Sequence, residues 1–413
     1  MADELHIDLE RLRADLLALA EIGLEEKDHG LYRMAFTEAD LQARRWLVDR
    51  LQDACAETRV DPAGNVIGRW PGPPDTPAVL LGSHIDTVPA GGILDGALGV
   101  LAGLECVRTL RASTVPLARP VELIAFADEE GRFGGMFGVE AFCGQLTAEW
   151  VRQAHDVDGV RLADAMRAQG LDPVAVLEAA RQPKDVHAFI ELHIEQGPVL
   201  EAEGLQIGIV ESISGVFKWV VRLIGKANHA GTAPMNYRSD AFMGLADFAH
   251  EIPRIIEEDG TDRTRLTVGK AELKPGNPHT VPGEVEFSLV GRDTDHKIMK
   301  GVAHSCRKVL SAIARRHSLL FEFEELSWLE PHPCHPDIVG VFRQATERRG
   351  LSHRLMDSGA GHDTQFMAEL TRAGMIFVPS VGGISHAPDE WTSWTDIENG
   401  AQVLLDALRA LCS

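Results

Sequence analysis

Three histidines and a group of acids occupy positions in this chain where a fold can gather them. The apolar run AVLL leads into Gly82-Ser83-His84-Ile85-Asp86, and LIAFA leads into Asp128-Glu129-Glu130-Gly131. FIEL leads into His193-Ile194-Glu195-Gln196-Gly197, and MIFVPS into Gly382-Gly383-Ile384-Ser385-His386. Asp95-Gly96 adds a fifth polar point just before a helical pattern. Singly, each has an ordinary explanation as the solvated end of a strand. Together they form the imidazole and carboxylate set that suits zinc and its neighbours. In open α/β sheets, moreover, ligands bind beyond the carboxyl ends of the strands. The chemistry open to such a cluster is hydrolysis, because a bound cation makes water a nucleophile near neutral pH and polarises a carbonyl.

The elements that must position these residues are legible in outline. In the first half, helical patterns alternate with short apolar strands: PAVLLGSH (77–84), a helix near 96–111, VELIAFAD (121–128) and HAFIELHI (187–194). This alternation predicts an α/β fold with a mainly parallel sheet covered by helices. From about 212 the pattern changes to strand VFKWVVRLIG, helix SDAFMGLADFAHEIPRIIEE, strands TRLTVGKAEL and GEVEFSLVG, helix DHKIMKGVAHSCRKVLSAIARRH and strand LLFEFEEL. That β-α-β-β-α-β order is the ferredoxin-like pattern. After about 330 the α/β pattern resumes, with helices near 336–349 and 363–373, strand GMIFVPSV (374–381) and a last helix near 396–411. The expectation is a discontinuous catalytic domain, 1–211 and 331–413, with 212–330 inserted in its middle.

The bulk properties narrow the function. A chain of 413 residues has two domains as its natural prior. Its 40 basic and 62 acidic residues give a net charge of −22, which argues against a nucleic-acid partner. An anionic substrate would need a local cationic pocket working against that field. The N-terminus begins with acids and continues as an amphipathic helix, unlike a signal peptide, and no apolar run approaches a membrane span. Six scattered cysteines read as reduced packing residues, so the expected location is cytoplasmic. His332-Pro333-Cys334-His335 could be a small metal cluster, but its prolines favour a structural loop.

The blocks GSHIDTVPAGGILDGALGV, FADEEGRFGG, HIEQGPVLE, GKANHAGTAPM, SGAGHDTQ and GGISHAPDE, in that order, carry a further signal. Through them nearly the whole chain resembles the amidase and carbamoylase branch of the M20 metallopeptidases. That branch includes N-carbamoyl-L-amino-acid hydrolases, β-ureidopropionases and allantoate amidohydrolases. The resemblance implies two divalent ions, zinc above all, with manganese, cobalt or nickel as other occupants that the same donors suit. It puts His84 and His193 on one ion, Glu130 and His386 on the other, and Asp95 between them, with a hydroxide shared by the pair. It makes Glu129 the general base. Asp86, two residues past His84, would fix the histidine tautomer as an outer carboxylate does, or simply cap a turn.

The resemblance also implies substrate contacts. His229, in Gly225-Lys226-Ala227-Asn228-His229, would polarise the substrate carbonyl, in its own or a neighbouring subunit, within a homodimer paired through the inserted lid domain. Arg292 would grip a substrate carboxylate bidentately, which answers the charge problem. Gln196 and the Gly359-Ala360 backbone would add contacts. The branch usually has asparagine just before its Val-Ile-Pro, but this sequence reads Asn277-Pro278-His279-Thr280-Val281-Pro282, so His279 stands at that place and Asn277 nearby. EEGRFGG is one residue shorter than the EEGxRFG common in the branch. The implied reaction is hydrolysis of the carbamoyl C–N bond of an N-carbamoyl (ureido) acid. Allantoate is the nearest rival substrate, and dipeptide or N-acyl amino acid hydrolysis or a catalytically silent homologue are the alternatives.

Overall fold

The computed structural model describes residues 5–113 and 115–413. Two compact units divide the chain: one runs to Glu211 and resumes at Cys334, and the other is Ser212–Pro333. Among the described residues no helix is long and apolar enough to cross a membrane.

The first unit is built on a sheet whose strands run side by side in the order Glu57–Val60, Val66–Trp70, Val121–Phe126, Ala78–His84, Val186–Ile194, Ala373–Val378 and Ile207–Ile213. Its four central strands, Val121–Phe126 to Ala373–Val378, are mutually parallel. They are apolar almost throughout because both faces are covered, and three of them are buried at every residue. Helices Ala97–Ala112 and Trp394–Leu411 pack against them in one core with Leu81, Leu123, Leu192 and Val378.

The expectation of a mainly parallel sheet needs correction, because the sheet is mixed. Val66–Trp70 pairs antiparallel with both Glu57–Val60 and Val121–Phe126, and Ile207–Ile213 antiparallel with Ala373–Val378. The cause at the first edge is connection length: residues 61–65 make a tight turn, too short for the crossover that a parallel pair requires.

The second unit has its own sheet, ordered Ala271–Lys274, Glu284–Asp293, Gly215–Ile224, Leu320–Leu329. All of its pairings are antiparallel. The predicted strand TRLTVGKAEL is broken into Arg265–Thr267 and Ala271–Lys274. Strand Gly215–Ile224 alternates, burying Phe217, Trp219, Val221 and Leu223 against helices Ala241–Asp259 and His296–Arg316. A two-stranded ribbon, Asn228–His229 with Thr280–Val281, lies outside that sheet.

Candidate metal centre

Parallel strands end along one common edge, and that edge collects the donors. His84 closes strand Ala78–His84, Glu129 and Glu130 follow Val121–Phe126, His193 is next to last in Val186–Ile194, and His386 follows Ala373–Val378. Asp95 precedes helix Ala97–Ala112. Left-handed backbone recurs along this edge, at Asp128 (φ 56°), Gln196 (φ 56°) and His386 (φ 55°). Each such non-glycine residue costs about 1–3 kcal/mol and persists only where its surroundings enforce it. Gly96 (φ 63°) meets a stricter demand, since a Cβ there would lie 2.4 Å from the His84 ring.

Asp95 is the hub. Its Oδ1 lies 3.1 Å from His193 Nε2 and 3.7 Å from His84 Nε2, while its Oδ2 lies 3.1 Å from His386 Nε2. Glu130 Oε1 is 3.5 Å from His386 Nε2, and Glu129 Oε2 is 3.6 Å from His84 Nε2. His84, Asp95 and His193 thus form one compact donor group, and Asp95, Glu130 and His386 another. The amide nitrogen of Gln196 donates to Asp95 Oδ2 at 2.9 Å, which places this residue, expected at the substrate, against the hub itself.

Asp86 departs from its expected contact. The Nδ1 of His84 meets the main-chain carbonyl of Asp86 at 3.1 Å, whereas the carboxylate is 3.7 Å away. That carboxylate instead accepts the main-chain N–H groups of Glu129 at 3.3 Å and Glu130 at 3.1 Å. A backbone carbonyl fixes a ring tautomer as well as a carboxylate does, which frees the side chain to hold the loop of the two glutamates.

The electrostatics fit a cation pair. Burial, then the charges of Asp95 and Asp86, push the Glu130 carboxyl up to about 10, and its Oε1 is buried with no hydrogen-bond partner. Burial and the neighbouring Glu130 charge raise Glu129 as well. Burial holds His84 down at about 4, leaving a neutral imidazole. Burial would also lower His193, but the hydrogen bond and charge of Asp95 outweigh it and lift the ring to about 9. Carboxylates crowded together away from water are costly unless a counter-charge joins them. His84, Asp95 and His193 would hold one divalent ion, and Asp95, Glu130 and His386 a second.

Several supports were not singled out from the sequence. Glu390 Oε1 accepts from Leu94 N and Asp95 N, and its Oε2 accepts from Ser385 Oγ at 2.8 Å. Glu191, a buried acid inside an apolar strand, accepts from Ser83 Oγ at 2.7 Å and from Thr364 Oγ1 at 2.6 Å. His362 packs edge-on against His193 with ring centroids 4.5 Å apart, and its Nε2 lies 2.8 Å from Ser358 Oγ. The same hydroxyl donates to Ala360 O and accepts from Ala360 N, so it shapes the Gly359-Ala360 turn. The one available signal was polarity inside strands: FIEL carries a glutamate that a solely structural strand would not need.

In the second unit, His229 Nδ1 accepts main-chain N–H groups from Gly231 at 3.0 Å and Thr232 at 3.2 Å. A neutral imidazole that accepts at one nitrogen donates at the other, so its exposed Nε2 is the donor. His279 stands beside it: Thr280 pairs with His229, and Ala230 N donates to His279 O. Asn277 Oδ1 accepts from His279 N at 3.0 Å. Arg292 is near the other end of strand Glu284–Asp293, opposite Val216. His332 and Cys334 lie in and just after a short strand, with Cys334 buried.

A parallel-cored sheet whose carboxyl edge presents two donor groups sharing one aspartate, with a buried glutamate beside them, has the donor set that a metal-dependent hydrolase needs. Residues 80–410 match the model of Peptidase family M20/M25/M40. The chain belongs to that family, and within it to the amidohydrolases. It is 38% identical over 405 residues to an N-carbamoyl-L-amino-acid amidohydrolase of Paenarthrobacter aurescens, covering 97% of this chain and 98% of that one. It is 36% identical over 378 residues to an allantoate amidohydrolase of Escherichia coli, covering 91% of each. A crystal structure of an amidase of the hydantoinase/carbamoylase family from Burkholderia multivorans superposes with a TM-score of 0.91 at 34% identity, covering 99% of both chains.

Proposed function

We propose that this enzyme hydrolyses the carbamoyl C–N bond of an N-carbamoyl amino acid or related ureido acid, releasing the amino acid, carbon dioxide and ammonia. The observation that carries this reading is Asp95, whose two oxygens face separate donor groups while Glu129 lies against the same His84 ring. Two divalent ions there, zinc first and otherwise manganese, cobalt or nickel, would acidify water and polarise the scissile carbonyl. Glu129 takes the proton from that water and delivers it to the leaving nitrogen, a task for a base within hydrogen-bond reach.

The inserted unit, which we read as a ferredoxin-like lid, supplies the substrate contacts. His229 offers Nε2–H to the developing oxyanion, and His279 and Asn277 stand beside it. Arg292 binds the substrate carboxylate as a fork. Eight residues of strand separate Glu284, close to the His279 turn, from Arg292, about 26 Å at the usual rise per residue. That length sets the strand end next to the His229 ribbon apart from the end that carries Arg292. This supports a homodimer paired through the lid, with His229 acting across to the partner's centre. We place the enzyme in the cytoplasm. Ammonia release from N-carbamoyl amino acids, N-carbamoyl-β-alanine, allantoate and dipeptides, after metal removal and restoration, tests the reading. Turnover of dipeptides alone would replace it.

A further inference from the structure

Arg33 is only 1% exposed, and among the described residues its guanidinium donates to main-chain carbonyls alone. Nη1 reaches Leu19 O at 3.0 Å and Ile22 O at 2.8 Å, at and just past the carboxyl end of helix Leu9–Ala20. Nε reaches Ile85 O at 2.7 Å, between His84 and Asp86. The main chain of Arg33 is fastened beside the same turn: its N–H donates to Thr87 Oγ1 and accepts nothing, while its carbonyl accepts from Thr87 N, both at 3.1 Å. Two residues back, Leu31 and Gly91 exchange a pair of main-chain hydrogen bonds.

A guanidinium in that position calls for a reason, because a buried charge is costly and well-packed apolar residues often replace one without loss. The carboxylates whose charge it feels are bonded elsewhere. Asp40 Oδ2 lies 2.6 Å from Arg44 Nη2, and the Asp86 carboxylate accepts the Glu129 and Glu130 N–H groups. Burial lowers Arg33 to about 10, which leaves it charged at neutral pH. Its counter-charge is the negative end of a helix, where unpaired carbonyls gather and a cation is favoured. The donors of a guanidinium point apart in a fixed fork, so one cation grips two segments at once. One of those segments leads to the metal centre: Ile85 separates His84 from Asp86, and Asp86 O holds His84 Nδ1 at 3.1 Å.

We propose that Arg33 is a positioning residue of the metal centre: it ties the Ile85 carbonyl to the end of helix Leu9–Ala20 and so fixes the turn on which His84 meets Asp95. The inference rests on the two-ion reading of that centre. Arg33 touches neither the donors nor the water between them, and it acts through the Ile85 and Asp86 main chain.

The test combines zinc titration of the apo-protein with hydrogen exchange in the parent, Arg33→Met and Arg33→Lys. Arg33→Met should weaken the ion assigned to His84 and His193 about 10–100-fold, as loss of an orienting partner does. Arg33→Lys keeps the charge without the fork and should fall between. In the apo-protein, exchange across residues 84–87 should quicken in Arg33→Met while the central strand Val121–Phe126 keeps its parent protection. At saturating zinc, kcat should fall with KM at its parent value. Parent zinc affinity, or exchange that quickens equally in both segments, would overturn the proposal and leave Arg33 a packing residue. Should Arg33→Met not fold, Thr87→Val, which removes only the acceptor of the Arg33 N–H, decides: weaker zinc binding with faster exchange at 84–87 supports the role, and parent values in both overturn it. A parent that binds fewer than two zinc ions removes the two-ion reading, and the apo-protein exchange, which needs no metal, then decides Arg33 by itself.

Discussion

Glu390 holds Asp95 in place from the far end of the sequence: its Oε1 accepts the Asp95 main-chain N–H at 2.9 Å and the Leu94 N–H at 3.0 Å. Its Oε2 takes Ser385 Oγ, the neighbour of His386. One buried carboxylate thus fastens the hub to the loop of another donor. Glu390→Ala should weaken metal binding about 10–100-fold, as loss of an orienting partner does. Glu390→Gln keeps one acceptor and should lose less. Metal titration of the apo-protein checks both, and parent affinity in Glu390→Ala would remove the clamp from the account.

Glu129→Gln separates proton transfer from metal binding. The amide preserves shape but cannot carry the proton, so turnover should fall roughly 10²–10⁴-fold. Both ions should remain, since Glu129 lies outside the two groups that share Asp95. Steady-state kinetics with elemental analysis on the same sample reads both quantities.

Gly96→Ala tests steric necessity. The new Cβ would sit 2.4 Å from the His84 ring, on a backbone with φ 63° and ψ −48° that lies outside the regions open to L-residues, so the variant should lose stability. We expect that loss in a urea melt, together with loss of the ion assigned to His84 and His193. Unchanged stability and metal content would show that the ring has room to move.

Asp86→Ala should act through the loop of the glutamates rather than through His84. The buried Glu129 N–H would lose its acceptor, at about 1–3 kcal/mol, and the partly buried Glu130 N–H would lose its own at a smaller cost, while the His84 ring keeps the main-chain carbonyl it already uses. Denaturant melts and stepwise metal titration should show lower stability and a weakened Glu130–His386 site, with the His84–His193 site nearer normal. A selective loss at His84 would contradict this.

The centre was legible in the sequence to the extent that burial leaves a pattern. PAVLLGSH and GMIFVPSV stand out because strands covered on both faces must be apolar end to end, and their polar termini then mark the sheet's working edge. Glu57–Val60 left no such mark: it is short and largely exposed, so the antiparallel edge was missed. The break at residues 268–270 was also invisible, since TRLTVGKAEL alternates as one strand would. Glu390 could not be assigned, because its role lies in contacts with residues almost 300 positions away. For Asp86, spacing placed it near His84 but could not say whether its carbonyl or its carboxylate would face the ring.

The most direct test counts ions. Native mass spectrometry of the metal-reconstituted chain should find two divalent ions per subunit in the parent, and Asp95→Ala should bind neither tightly, because the shared carboxylate serves both groups. A parent saturated by a single ion, or an Asp95→Ala variant that keeps two, would contradict the account.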